Sequence, residues 1–400
     1  MMVMSVRLFA AAGIALAAHC AFAAQYSISP SIESRVNWTD NINLTPGVND
    51  NIVGLVAATS VGFARNSGAA ELSGSARVGI NRYPGNSDLD TEDARLTLGS
   101  RWQSERVSGG LSAAYSRDST LQTELEATGI VQVRRQRDLV SLEPSWGYSL
   151  TERASVFVRY QADWVKYDAG AGLENYTNQQ ATGGYTYLLS MRTAATFSGR
   201  HNRYRDDSGR SRTNTNGFNL DLTHDATARL KLALGIGSRR SEIERTSCPF
   251  SDLLCETFGS ALLVKTETKD EGQFYNLSIN YAWLRTRANV AASRDINATG
   301  GGFQVETDRF GIKLGHDFSE KLSASLDGVY LRSRSIGRTG GESRYFSLGS
   351  NISWKLTQGW TVAAGYSHAY QEERLVSQHA VANSAYLSLS YNWPEISLSR

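Results

Sequence analysis

Beyond its first two dozen positions the chain has no uninterrupted run of about 18 apolar residues, so membrane-spanning helices are excluded. Spacings typical of metal ligands are also missing. Gly235-Ile236-Gly237 lies inside a strand-like run and lacks the following helix that a phosphate-binding loop requires. The sequence therefore predicts no cofactor and no metal, and nothing in it indicates a nucleic-acid partner.

What fills the chain is a repeated alternation of apolar with small or polar residues, in runs of roughly 7 to 13 residues that end at turns. The last clear run places five residues on one strand face: Ala385, Leu387, Leu389, Tyr391 and Trp393. The residues between them, Tyr386, Ser388, Ser390 and Asn392, occupy the other face. About eighteen such runs predict an all-β fold, a transmembrane up-and-down antiparallel β-barrel of about 18 strands, with 16 also possible.

Aromatic residues separate this prediction from a soluble β-protein of similar composition, since 41% hydrophobic residues and a mean hydropathy of −0.34 fit either class. Many of the 18 Tyr and 8 Trp lie near the ends of apolar strand faces, as in the aromatic girdles of outer-membrane barrels. Short turns also alternate with longer links, which is typical of periplasmic turns and extracellular loops. We therefore expect a Gram-negative outer-membrane protein, in contact with outer-membrane lipid and inserted by the barrel assembly machinery.

The N-terminus reads as a secretory signal peptide. Arg7 precedes the apolar stretch 8–18, and Ala21-Phe22-Ala23 is a small-x-small cleavage site. Cys20 lies within it, in a poor lipoprotein box because His19 stands where a small residue is expected. The predicted organisation is a signal peptide (1–23), one β-barrel domain (24–393) and a C-terminal tail (394–400).

Strand parity predicts a basic lumen. Twelve cations fall on inward faces: Arg35, Arg77, Arg95, Arg101, Arg159, Arg200, Arg229, Lys231, Arg239, Arg287, Arg309 and Lys313. Six anions share those faces by the same count: Glu33, Glu71, Glu143, Asp163, Asp221 and Asp327. A cation excess between low-dielectric walls favours anionic solutes or polymers. The alternative is that these arginines pair with carboxylates and backbone groups and fill the barrel as structure.

Two loops could narrow the lumen, although an exposed loop with no pore role is the alternative for each: 298–302 and 240–272. The second loop contains Cys248 and Cys255, which are predicted to close a small disulfide ring in an oxidising compartment. A metal or redox role is the competing interpretation of this pair.

An outer-membrane enzyme is a further alternative, but no catalytic constellation is evident. Four histidines lie near strand ends by parity, and a fifth, His379, is expected in a loop; the four are His201, His224, His316 and His368. None has a neighbour whose spacing fixes a partner. The sequence therefore predicts that the protein is not an enzyme, and a non-conducting structural or adhesion barrel competes with a channel.

The segment after the first strand carries a short motif, Trp38-Thr39-Asp40-Asn41-Ile42-Asn43-Leu44, preceded by Ser29-Pro30-Ser31-Ile32. It resembles the opening of outer-membrane β-barrel porins associated with exopolysaccharide and exosortase (PEP-CTERM) systems. The resemblance implies export of an extracellular polysaccharide, with a polysaccharide or a periplasmic export protein as partner. The C-terminus departs from the usual aromatic barrel ending, because residues 394–400 follow Trp393.

Overall fold

The computed structural model describes residues 25–130, 134–168, 172–247, 263–337, 341–373 and 378–399. The prediction of an antiparallel β-barrel is confirmed: each strand pairs with its neighbours in sequence, and β1 pairs with both β2 and β18. The eighteen barrel strands and a short nineteenth are β1 Gln25–Thr39, β2 Ile52–Asn66, β3 Ala70–Arg82, β4 Thr91–Gln103, β5 Val107–Ser119, β6 Gln136–Ser149, β7 Ala154–Tyr167, β8 Tyr176–Ser190, β9 Thr193–Asp206, β10 Ser211–Asp225, β11 Leu230–Ser247, β12 Val264–Trp283, β13 Thr286–Ala298, β14 Gln304–Asp317, β15 Leu322–Ser335, β16 Glu342–Lys355, β17 Trp360–Glu373, β18 Gln378–Asn392 and β19 Ile396–Ser399.

The C-terminal tail is part of the closing seam. β18 pairs with the second half of β1, from Ser31 opposite Asn392 onward. After residues 393–395, β19 pairs with the first half of β1, placing Ile396 opposite Ile28. Pro394 cannot donate to a strand ladder, so the break between β18 and β19 falls where the chain has no N–H to offer.

The outer wall follows the two-residue alternation of the sequence. Large apolar residues such as Val78, Phe197 and Ile352 are more than half exposed on it, as expected where the neighbour is lipid. Exposed tryptophans mark one end of this wall: Trp102, Trp146, Trp283, Trp354, Trp360 and Trp393. These residues lie where β4, β6, β12 and β16 end and β17 begins, and they form one interfacial girdle.

The two ends of the barrel differ in their connections. The first and last described residues, Gln25 and Ser399, lie at the end that carries the tryptophan girdle, as do short turns such as 104–106 and 284–285. Longer connections, such as 40–51 and 120–135, lie at the other end. In bacterial barrels these are the periplasmic and extracellular sides respectively.

Three local features depart from a uniform barrel. Residues 120–128, which lie in a weakly patterned stretch, form a helix, α1 (Thr120–Thr128), directly after β5. Pro144 lies opposite Leu111 of β5, and the β6–β7 ladder is interrupted beside it without a change of register. The β12–β13 ladder starts only at Tyr275 and Arg294, so the extracellular part of β12 is separated from β13. No helix in the described part of the chain is long and apolar enough to cross a membrane.

Candidate functional site

The helix α1 lies inside the barrel, and its two ends are defined by their capping residues. At its N-terminus the Ser119 hydroxyl accepts a hydrogen bond from the backbone N–H of Leu121 (3.4 Å). At its C-terminus Gly129 adopts a left-handed conformation (φ 67°), and its N–H donates to the Leu125 carbonyl (2.7 Å). A Cβ atom on Gly129 would lie 3.0 Å from Cβ of Tyr345, so glycine is required both by the backbone and by the space.

The C-terminal end of α1 is held against the far wall by its carbonyl groups. Ser333 of β15 donates to the carbonyl of Thr128, and Ser343 of β16 donates to that of Gly129 (2.8 Å). Arg309 of β14 donates to the carbonyl of Glu126 (2.8 Å). Helix carbonyls that have no partner within the helix thus bond to strands on the opposite side of the barrel from β5. The helix therefore crosses the lumen and narrows it.

A second inward segment comes from the connection between β1 and β2. Leu44 packs with Leu125 of α1 against the inward face of β15, β16 and β18. Asn41 fixes this connection, because its amide donates to the carbonyls of Thr45 (2.8 Å) and Val381 (3.0 Å) and its oxygen accepts from the N–H of Thr45 (2.9 Å). The connection 40–51, which contains most of the Trp38–Leu44 motif, thus covers α1, and we call it the strap.

The third inward segment is the tip of the β13–β14 hairpin, residues 295–307. Its connection bends across the lumen, where the carbonyl of Thr299 accepts from the Tyr204 hydroxyl (3.4 Å) and the carbonyl of Gly300 accepts from the N–H of Glu174 (2.7 Å). The side of the hairpin tip that faces away from the barrel axis contacts the inner surface of the barrel wall, where Gln304 donates to Asn202 of β9 (3.1 Å). The separation of β12 from β13 makes this bend possible. Of the two loops predicted to narrow the lumen, 298–302 belongs to this tip.

A buried ion cluster fastens the hairpin tip to the wall. Arg239 of β11 has 1% of its side chain exposed, and it contacts Asp270 of β12 (2.6 Å) and Glu306 of β14 (2.5 Å). Glu306 also accepts from Arg334 (2.6 Å). In this cluster each buried charge is compensated by a charge of opposite sign. Removal of any one of these side chains would leave a buried charge without its partner.

Glu124 of α1 contacts β6, β7 and the hairpin tip. Its carboxylate accepts from the Tyr167 hydroxyl of β7 and from the backbone of Gly300, and it lies 3.9 Å from Arg137 of β6. Arg137 in turn contacts Asp118 (3.3 Å). Burial raises the pKa of Glu124, although the hydrogen bond from Tyr167 and the charge of Arg137 oppose the rise. Deprotonation of this carboxyl therefore carries a cost to the docked helix.

Seven of the twelve predicted lumen cations contact carboxylates. Arg35 and Arg77 share Glu33, and Arg159 contacts Glu143, as parity had grouped them. The other four contact acids that the inward count omitted: Arg200 with Asp295, Lys231 with Asp225, Arg239 with Asp270 and Glu306, and Arg287 with Asp317. Asp225, Asp295, Glu306 and Asp317 lie near strand ends, where the sequence pattern is weakest, and Asp270 lies in β12, within the stretch 240–272 that the sequence predicts as a loop. The count of six anions was therefore too low.

Five cations have no salt bridge to a described residue: Arg95, Arg101, Arg229, Arg309 and Lys313. Arg229 differs from the others, because it lies in the turn before β11 and its guanidinium is 5.7 Å from the ring of outward-facing Trp283. The remaining four are exposed on inward faces of β4 and β14. Arg95 lies beside Arg77 in the ladder. Inward cations therefore lie on two opposed stretches of wall, and the inward acids Glu71 and Asp327 lie opposite Arg101 and Lys313 in the strand ladders.

Glu126 is the exposed acid of α1 between these two stretches. Its carboxylate is within electrostatic range of Arg309, Lys313 and Arg95. The sequence had not assigned a role to α1, so this acid and Glu124 were missed as lumen groups. A serine N-cap and a glycine C′ around a nine-residue segment were the available signal.

The five histidines lie apart from one another. Four pair with a neutral side chain: His201 with Asn216, His224 with Thr193, His316 with Thr286 and His368 with Asn383. His379, expected in a loop, lies in β18 and stacks on Tyr370. Among the described residues no group of three His, Cys, Asp or Glu could hold a metal. Cys248 and Cys255 lie outside the described residues.

The extracellular mouth contains a polar cavity of 860 Å³ above the strap and α1. Its lining includes Arg134 and Arg135 together with Asp88, Asp90 and Glu373. The strap residues Leu44 and Pro46 and the helix-capping Ser119 also line this cavity.

No protein-family model matches the chain, and no curated protein matches it. Solved structures with a similar fold include OccAB3 of Acinetobacter baumannii, with 12% identity, a TM-score of 0.46 and coverage of 93% of this chain and 99% of that chain. OpdK of Pseudomonas aeruginosa, solved with vanillate, has 10% identity, a TM-score of 0.48 and coverage of 94% and 99%. OccK5 (OpdH) of Pseudomonas aeruginosa has 11% identity, a TM-score of 0.48 and coverage of 92% and 98%. These are likenesses of fold, and the chain itself is an eighteen-stranded β-barrel of the Gram-negative outer membrane.

Proposed function

We propose that this protein is an outer-membrane channel for hydrophilic anionic solutes, with a lumen narrowed by α1, the strap and the hairpin tip. The observation that carries the proposal is four exposed inward cations that make no salt bridge to a described residue, Arg95 and Arg101 on β4 and Arg309 and Lys313 on β14. Low-dielectric walls focus the field of such charges and raise the local concentration of anions.

The lumen is not uniformly basic, and this limits the expected selectivity. Seven of the predicted cations contact acids, so their field is largely cancelled at short range. The four unpaired wall cations remain, and Glu126 lies between them. We expect a modest preference for anions rather than exclusion of cations.

The test is a planar bilayer measurement with the mature protein in a KCl gradient. The reversal potential reports the ratio of anion to cation permeability. We expect an anion preference that shifts toward cations in Arg95→Glu and in Lys313→Glu. Lys166→Glu, on the outward face of β7, changes net charge equally and is the matched control.

Two results would count against the channel. An unchanged reversal potential in both lumen variants would remove these residues from the conducting path. A folded barrel with no conductance, even after α1 is released, would favour the structural or adhesion alternative.

Passage of an extracellular polysaccharide is the narrower form of this proposal, and its support is the resemblance in residues 29–44. An extended polymer would have to displace α1, whereas a small solute needs only the space beside it. Transient blocks of conductance by an acidic oligosaccharide added on the periplasmic side would support export. Uninterrupted current at saturating oligosaccharide would restrict the proposal to small solutes.

A further inference from the structure

Four arginines form a cluster on the outer wall of the barrel, toward the extracellular side. Arg203 and Arg205 lie on β9, Arg212 on β10 and Arg240 on β11. These side chains face outward. Arg203 and Arg205 lie an even number of residues from exposed Phe197 on β9, and Arg212 lies an even number of residues from exposed Phe218 on β10, so each shares a strand face with a lipid-facing aromatic residue. Arg240 lies opposite Glu271 in the β11–β12 ladder, so we call only Arg203, Arg205 and Arg212 the outer arginine patch.

Five other outward-facing arginines at this end of the barrel each contact a carboxylate. Arg82 contacts Glu92 (3.1 Å), Arg117 contacts Asp138 (3.5 Å) and Arg294 contacts Asp308 (2.5 Å). Arg332 and Arg344 both contact Glu342 (2.8 Å each). In contrast, the three patch arginines make no salt bridge to any residue in the described ranges. The patch therefore concentrates three positive charges that no salt bridge to a described residue offsets.

Arg205 and Arg212 are direct cross-strand partners in the β9–β10 ladder. Like charges in this position repel one another, because their Cβ atoms are only about 5 Å apart. The Nε of Arg212 is also buried and has no hydrogen-bond partner among the described residues. An anion between the two guanidinium groups would relieve both conditions with charge-assisted hydrogen bonds.

Acidic residues flank the patch on one side. Glu242 and Glu244 on β11 lie opposite Asn214 and Arg212 in the ladder. Glu244 is occupied by Lys265 (3.4 Å). Asp207 lies in the turn that joins β9 to β10. The part of the outer wall that attracts anions is thus centred on β9 and β10, and these acidic residues bound it.

The apolar wall continues directly from the patch toward the membrane centre. Phe197, Phe218 and Ile236 are each more than half exposed in the rows below it. Trp164 of β7 lies in the same row as Arg205, through Thr177 of β8, and its ring is 40% exposed. Exposed tryptophan is typical of the membrane interface, so the patch lies at the level of lipid headgroups.

We propose that the outer arginine patch binds the phosphate groups of the phosphorylated glycolipid that forms the outer leaflet of this membrane. The guanidinium groups would hold the phosphates, and the acyl chains would lie on the Phe197, Phe218 and Ile236 surface. The occupant is a lipid rather than free phosphate because the charged and apolar surfaces are continuous.

The test is a titration of the delipidated, detergent-solubilised protein with bis-phosphorylated lipid A, followed by native mass spectrometry. The variant carries Arg203→Gln, Arg205→Gln and Arg212→Gln. The matched control carries Arg82→Gln, Arg117→Gln and Arg332→Gln, which removes three neutralised arginines from the same end of the outer wall. Heat-modifiable gel mobility establishes that each barrel is folded.

We expect the patch variant to bind about tenfold more weakly, a loss of about 1.4 kcal/mol. The control variant should bind like the wild type, and dephosphorylated lipid A should bind the wild type as weakly as the patch variant binds the intact lipid. Equal binding by the wild type and the patch variant would overturn the proposal, as would an equal loss in the control. Complete competition by inorganic phosphate would overturn the lipid assignment in favour of a free-phosphate site.

Discussion

Gly129 lies so close to Tyr345 that a Cβ atom added to the glycine would be 3.0 Å from the Cβ of the tyrosine. The contact joins the end of α1 to the inward face of β16, and Leu331 of β15 approaches the same point at 3.1 Å. The helix therefore ends in the lumen at a position where any side chain would strain both the backbone and the packing.

Gly129→Ala should loosen α1 and raise single-channel conductance. The substitution adds both a left-handed backbone cost of roughly 1–2 kcal/mol and a contact with Tyr345 and Leu331. Gly85→Ala is the control, since Gly85 has φ 85° and nothing within 4 Å of an added Cβ. Equal conductance in the two variants would show that α1 does not limit the current.

Conductance should depend on pH through Glu124. Burial raises the pKa of this carboxyl in the docked helix, so docking is favoured at low pH and weakened as pH rises through that raised pKa. We expect conductance to increase as pH rises above 4.5, the ordinary pKa of a glutamate, and through the raised pKa, because the ionised form destabilises the docked state.

Glu124→Gln should abolish this dependence, since the amide keeps a hydrogen-bond acceptor for Tyr167 but does not titrate. Glu242→Gln, an exposed acid on the outer wall, is the control and should retain the wild-type pH profile. A Glu124→Gln profile identical to that of the wild type would exclude this carboxyl as the titrating group.

Asn41→Ala should release the strap. The change removes three hydrogen bonds, each contributing about 1 kcal/mol, and leaves the carbonyl of Val381 without this donor. Hydrogen exchange at the amides of residues 42–45 should accelerate about tenfold or more. Asn43→Ala, in the same strap, is the control, and comparable acceleration in both would argue against a specific role for Asn41.

The disulfide between Cys248 and Cys255 stays a prediction. In the mature protein, thiol alkylation should label neither cysteine before reduction and both cysteines after it. Labelling of both residues without reductant would indicate a free pair and would reopen the metal or redox interpretation.

The sequence predicts the barrel well because its strands obey a local rule. Alternation of apolar and polar residues needs no knowledge of distant contacts, so β18 and its lipid-facing row could be recognised from residues 385–393 alone. The inward segments obey no such rule. The bend of the β13–β14 tip depends on where β12 and β13 separate. That separation is a feature of the tertiary structure, which the local alternation of residues does not encode.

The charge balance of the lumen shows the same limit. Arg159 and Glu143 could be grouped because both lie mid-strand. Asp295 and Glu306 could not, since their partners Arg200 and Arg239 are brought to them by the folding of the hairpin tip. The alternation of residues along a strand assigns each side chain to a face of the sheet. Which charges form ion pairs depends on which segments the folded chain brings together.

The β1 seam also has a consequence for the order of assembly. β1 pairs with β18 and β19, so the contact that closes the wall joins opposite ends of the chain. Such a contact has the highest sequence separation in the molecule and is expected to form late. Until residues 378–399 have been synthesised and delivered, β1 and the last strand formed present two unpaired edges. The chain must therefore be protected from edge-to-edge association throughout its transit, and loss of the last few residues should prolong that exposed state.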